Sequence, residues 1–123
     1  MAGTDVHRRS YGRAFEVTLD ATVLANQIAI VNTVVGLTVQ SGDSGETVVL
    51  EREDRVIEVE LPSAFYSSLS VGDKVYLVLA NITGHTLDDD AWTLTATSNF
   101  FFGHVVELLG SNNAALSMEV TGH

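Results

Sequence analysis

Apolar and polar positions alternate with a period of two through much of the chain, and no long stretch holds helical periodicity. Phe15, Val17 and Leu19 alternate with Glu16, Thr18 and Asp20, which predicts a half-buried strand. Ile57, Val59 and Leu61 alternate with Glu58 and Glu60 in the same way. Near the end, Ala114, Leu116, Met118 and Val120 alternate with Ala115, Ser117, Glu119 and Thr121. The abundance of Val, Ile and Thr suits strands, where branching at Cβ packs well on a pleated surface.

Turn residues punctuate these runs. Ser41–Gly45 reads as a loop, and Glu53-Asp54 as the tip of a hairpin joining Val48–Leu50 to Val56–Leu61. Val71-Gly72-Asp73 precedes a strand over Lys74–Ala80. Thr83-Gly84-His85 and Asp88–Asp90 fall before a strand over Trp92–Ala96. Gly110–Asn113 separates the last two strands. Pro62 ends the strand before it, since it cannot donate to a ladder, and Ser63–Leu69 predicts one helical turn with Ser63 as its cap. Many short strands with regular turns predict an all-β fold, a small barrel or sandwich.

Two segments depart from clean alternation. Lys74–Ala80 has Val75, Leu77 and Leu79 on one face and Tyr76, Val78 and Ala80 on the other. Phe100–Leu109 has Phe101, Val105 and Leu109 on one face and Phe100, Phe102, Val106 and Leu108 on the other. Strands apolar on both faces are buried on both. Either a loop or the short helix covers the second face, or a neighbouring subunit completes it.

Length changes the picture only by limiting it to one domain: 123 residues suffice for a core without staples. There is no cysteine, so disulfides and thiolate metal sites are excluded. The longest apolar stretch, Val75–Ala80, is strand-length, and Met1–Phe15 lacks the apolar run of a signal peptide, so a soluble protein is expected. Charged residues are only 18% of the chain, lean for a surface that meets nothing but water.

The net charge of −10 is unevenly distributed. Arg8, Arg9 and Arg13 against Asp5 make residues 1–15 a basic arm of charge +2. Residues 16–123, the β domain, carry three basic against fifteen acidic groups, a charge of −12. An acidic body repels phosphate backbones, so nucleic acid is not expected as a partner, nor is a membrane. The arm, in which Arg8, Arg9, Tyr11, Arg13 and Phe15 mix charge with aromatic anchors, predicts a segment that orders on a partner: the arginines pair with carboxylates and the rings enter apolar pockets.

Candidate chemistry is sparse. His7 and His123 lie at the chain ends, and His104 occupies an apolar strand. His85 precedes Asp88–Asp90, a grouping with oxygen ligands but without the ordered spacing of a calcium loop, so a solvated turn is expected. No Gly-x-Ser-x-Gly elbow and no phosphate-cradling glycine pattern is present. Glu51, Glu53, Asp54, Glu58 and Glu60, interleaved with Arg52 and Arg55, read as a solvated face around a hairpin tip. No catalytic grouping, cofactor site or metal site is predicted.

From about Ile28 onward the chain resembles a family of phage capsid decoration, or head cement, proteins. Leu69-Ser70-Val71-Gly72-Asp73-Lys74-Val75-Tyr76 looks like that family's Gly-Asp-x-Val-Tyr strand entry. Leu94–Thr97, Phe102-Gly103-His104-Val105 and the closing strand Ala114–Val120 follow in the family's order. Val35-Gly36-Leu37, Gly45–Val49 and Val56–Pro62 fit upstream. Phe100–Phe102, Asp88–Asp90 and the N-terminal arm have no counterpart in the family pattern.

The resemblance implies a compact β-barrel or β-tulip without enzymatic activity. It implies homotrimers bound to the major capsid protein on the outer surface of the virion's head, after synthesis in the host cytoplasm. Phe100, Phe102 and Val106 are the expected subunit or shell contacts. The competing expectations are a β-barrel module binding a small ligand or peptide, which a sizeable apolar cavity would favour, and a tail or baseplate component.

Overall fold

The computed structural model describes residues 12–119. It is all-β, as the alternation predicts, but its strands form two antiparallel sheets that do not close into a barrel. The first sheet contains β1 (Gly12–Thr18), β2 (Ile28–Val31), β3 (Val34–Thr38), β4 (Thr47–Glu53), β7 (Ile82–Thr83) and β8 (Thr86–Leu87), in the order β1-β4-β3-β2-β8-β7. The second contains β5 (Arg55–Glu60), β6 (Lys74–Leu77), β9 (Trp92–Thr93), β10 (Phe100–Gly110) and β11 (Asn113–Met118), in the order β5-β11-β10-β6-β9.

The hairpin expected at Glu53-Asp54 is instead a corner. β4 pairs with β1 and β3, β5 pairs with β11, and Asp54 alone separates them, so the chain bends from one sheet into the other. Gly12 lies opposite Glu53 and Met118 opposite Arg55, so both described ends flank this corner. The strand expected over Lys74–Ala80 stops at Leu77, and the one over Trp92–Ala96 stops at Thr93. The helical turn, α1, is Ser63–Tyr66; Pro62, not Ser63, holds the cap position.

The main core lies between the sheets. Ile30 and Val35 face Val75, Leu77, Phe102, Val105, Ala114, Leu116 and Met118, with Leu61, Leu69 and Trp92 closing the ends. A second cluster packs the other face of the first sheet, where Val17, Ala29, Val31, Val48 and Leu50 meet Leu19 and Val23. β2 is therefore apolar on both faces because both are covered.

β10 does not keep one alternation. Its ladder with β6 slips between Phe101 and Gly103, and its ladder with β11 slips between Val105 and Glu107. The first slip shifts the side-chain phase, so Phe102 and Val105, three residues apart, both enter the core. Gly103 permits this: a Cβ there would lie 1.5 Å from the carbonyl oxygen of Ser117. The turn β2–β3 is Asn32-Thr33, both at positive φ, the conformation of a two-residue hairpin.

Candidate interaction surface

The outward face of the second sheet carries a band of rings. Tyr76 and Phe101 have centroids 5.5 Å apart, and Phe101 meets His104 edge-on at the same separation. Beyond them along β10, Val106 and Leu109 are 46% and 40% exposed. The domain that carries this band is acidic, with three basic against fifteen acidic groups over residues 16–123.

His104, Ser117 and Glu119 form a cluster beside the band. The Nδ1–H of His104 donates to Glu119 Oε2 at 2.5 Å, and the Ser117 hydroxyl donates to the same oxygen at 2.6 Å. Ser117 Oγ in turn accepts the backbone N–H of His104 at 2.9 Å. Partial burial pushes the Glu119 carboxyl up, and Asp54 adds to this, but the hydrogen bonds from Ser117 and His104 and the attraction to His104 outweigh both, holding its pKa below the ordinary value. Serine, histidine and glutamate here are not a nucleophile relay, because the hydroxyl donates to the carboxylate and not to the imidazole. The cluster pins the end of β11 to β10.

Arg52 locks the corner from inside. It is 6% exposed, its guanidinium sits 4.3 Å from the centroid of Phe100, and Nη2 donates to the Glu119 carbonyl at 2.6 Å. Arg52 is thus not on the solvated face expected for it. The pattern contained the contrary signal, since Arg52 is in phase with the inward Val48 and Leu50. Arg55 does lie outside, paired with Glu51 at 3.6 Å and with Glu53.

The expected contact residues part company. Phe102 is fully buried in the chain's own core and is withdrawn as a subunit contact; Phe100 is half-buried under Arg52, and Val106 remains on the surface. Phe15 is half-buried against the second cluster, so the pocket it fills is its own chain's. Arg13 falls within β1 opposite Arg52, so the strand begins inside the stretch read as an arm. Arg8, Arg9 and Tyr11 lie outside the described residues. Asp88–Asp90 is a turn, with Asp88 accepting from Thr83 Oγ at 2.7 Å, and among the described residues no three such ligands converge on a metal position. His85 is buried, not in the solvated turn expected for it.

An open cleft of about 550 Å³ lies between the sheets. Ile28, Leu37, Ile57, Val59, Leu87 and Trp92 supply its apolar lining, and Glu58 and Glu60 its acidic border. Among the described residues no helix is long and apolar enough to cross a membrane.

No curated protein and no solved structure matches the chain. A family model described as phage cement protein matches residues 10–121, which takes in every strand of both sheets, the ring band and the corner. Coverage of that extent places the chain in the phage cement protein family, a structural family of the phage capsid.

Proposed function

We propose that this protein is a non-enzymatic clamp on the outer surface of a phage head, bridging neighbouring major capsid proteins as a self-associated homotrimer. The family match over residues 10–121 carries the reading. The geometry supports it: Tyr76, Phe101, Val106 and Leu109 give an apolar band on an acidic domain, suited to burial against protein. Arg8, Arg9 and Arg13 would add cationic contacts to an acidic domain, with Tyr11 as a further ring. Weak contacts suffice, because three linked subunits gain avidity without any new type of contact. After synthesis in the host cytoplasm, assembly onto the finished shell would follow.

The test is co-sedimentation of the purified protein with unexpanded and with expanded capsids. Binding to expanded capsids is expected; binding to neither overturns the reading. The cleft favours a second reading, a module that binds a peptide or small ligand, since its apolar lining and polar border are what such a site requires.

A further inference from the structure

The cleft borders four consecutive residues of β5, Ile57 to Glu60. Successive side chains of a strand point to opposite faces, so a cleft that touches all four runs along the strand's edge. β5 pairs with β11 on one side, and among the described residues its other edge has no ladder partner. Ile28, Leu37 and Leu87 of the first sheet, all half-buried, line the same cleft. A strand between packed layers fills a block of about 3.4 by 4.8 by 10 Å per residue, or about 160 Å³. A cleft of about 550 Å³ therefore has room for roughly three to four residues of one more strand, the length of β5 that borders it.

The alternation of β5 dictates which side chains that strand must carry. Ile57 and Val59 pack toward the core, whereas Glu58 and Glu60 are exposed. On an added strand each side chain lies beside the residue it opposes and on the same face of the sheet. Apolar residues are needed opposite Ile57 and Val59, where the aliphatic lining of the cleft is. Cations are favoured opposite Glu58 and Glu60, because Arg55, the cation that lines the cleft, is held by Glu51 and Glu53.

The signature that fits is lysine or arginine two positions apart with an apolar residue between. The chain has no such stretch. Its six basic residues are Arg8, Arg9, Arg13, Arg52, Arg55 and Lys74, and no two of them are two positions apart. The occupant that suits the edge is therefore a segment of a different protein.

We propose that the free edge of β5 takes up an extended, alternately basic and apolar segment of the shell protein by strand addition. The shell as source rests on the clamp reading above; the chemistry of the segment rests on the edge alone.

The experiment uses the full chain and two synthetic octapeptides of equal charge. One alternates arginine with valine; the other carries the same residues in two blocks. The alternating peptide should bind at least roughly tenfold tighter by calorimetry and protect amides of β5 from hydrogen exchange. Glu58→Lys/Glu60→Lys, altered only at exposed side chains, should lose that preference and co-sediment with expanded capsids at least roughly tenfold more weakly. Equal affinity for the two peptides, or protection confined to another strand, overturns strand addition. If Arg8→Glu/Arg9→Glu binds the alternating peptide more tightly than the parent does, the chain's own N-terminal residues occupy the edge and the proposal falls. Parent-like co-sedimentation of Glu58→Lys/Glu60→Lys overturns the shell as source and leaves the clamp reading standing. A parent that binds the peptide but no capsid overturns the clamp reading and the shell as source, while the edge site stands.

Discussion

His85 joins its imidazole to Asp20 across 65 positions of sequence: Nε2 accepts the Asp20 backbone N–H at 2.9 Å. Its Nδ1 meets the Ile30 carbonyl at 3.1 Å, so Nδ1 carries the hydrogen and the ring bridges β2 to the chain following β1. With both nitrogens engaged and the ring buried, His85→Ala leaves an N–H and a carbonyl without partners. The expected loss is about 2–4 kcal/mol, read as a lower urea midpoint; an unchanged midpoint would show that water replaces the ring at no cost.

Phe102→Ala should destabilise the fold by about 3–5 kcal/mol, the cost of a large aromatic cavity in a close-packed core. Phe102 meets Trp92 edge-on at 5.8 Å, so near-ultraviolet circular dichroism should lose intensity together with the thermal transition. Retained cooperative unfolding with loss of the oligomer alone would return Phe102 to the surface role first expected of it.

Glu119 links the fold to acid. Its folded pKa lies below its ordinary value of 4.5, so the carboxylate stabilises the protein above that value and the contribution is lost as pH falls through the folded one. With both side chains about one-third exposed, the contribution is under about 1 kcal/mol. Between about pH 6 and pH 3 the urea midpoint of Glu119→Gln should fall less steeply than that of the parent. Parallel slopes would mean that the cluster does not sense protons.

Thr33→Gly should stabilise the protein by about 0.5–1 kcal/mol, measured as a higher urea midpoint. Thr33 is β-branched at φ +66°, where such residues are strained, and glycine after Asn32 is the favoured pair for this turn. A lower midpoint would locate the strain elsewhere.

Val106→Glu should leave stability within about 0.5 kcal/mol of the parent, since the side chain is exposed. Capsid affinity should drop at least roughly tenfold if the β10 band meets the shell. Undiminished co-sedimentation would move that contact off β10.

Alternation made the fold class legible, along with the phases of β5 and β11, because each keeps one phase from end to end. It could not separate a hairpin from a corner at Asp54: both leave the same pattern on either side, and the difference lies in which distant strands pair. It misjudged Phe102 and Val105 because the slip between Phe101 and Gly103 reverses the phase inside one strand. The β2–β3 turn left no glycine signal, since Asn32-Thr33 adopts the turn without one. The cleft was not legible at all, because residues of β2, β3, β5, β8 and β9 meet there only after folding.

That Gly12 and Met118 flank the same corner bears on how the polypeptide can be re-cut. A linker joining Gly12 to the end of β11 would close the chain at this bend, and new ends could be opened elsewhere, without disturbing either ladder that starts there. The exposed stretch Leu94–Ser98, outside every strand, is the natural opening. Such a permuted chain would open just ahead of Phe100 and β10, turning the corner into an internal joint.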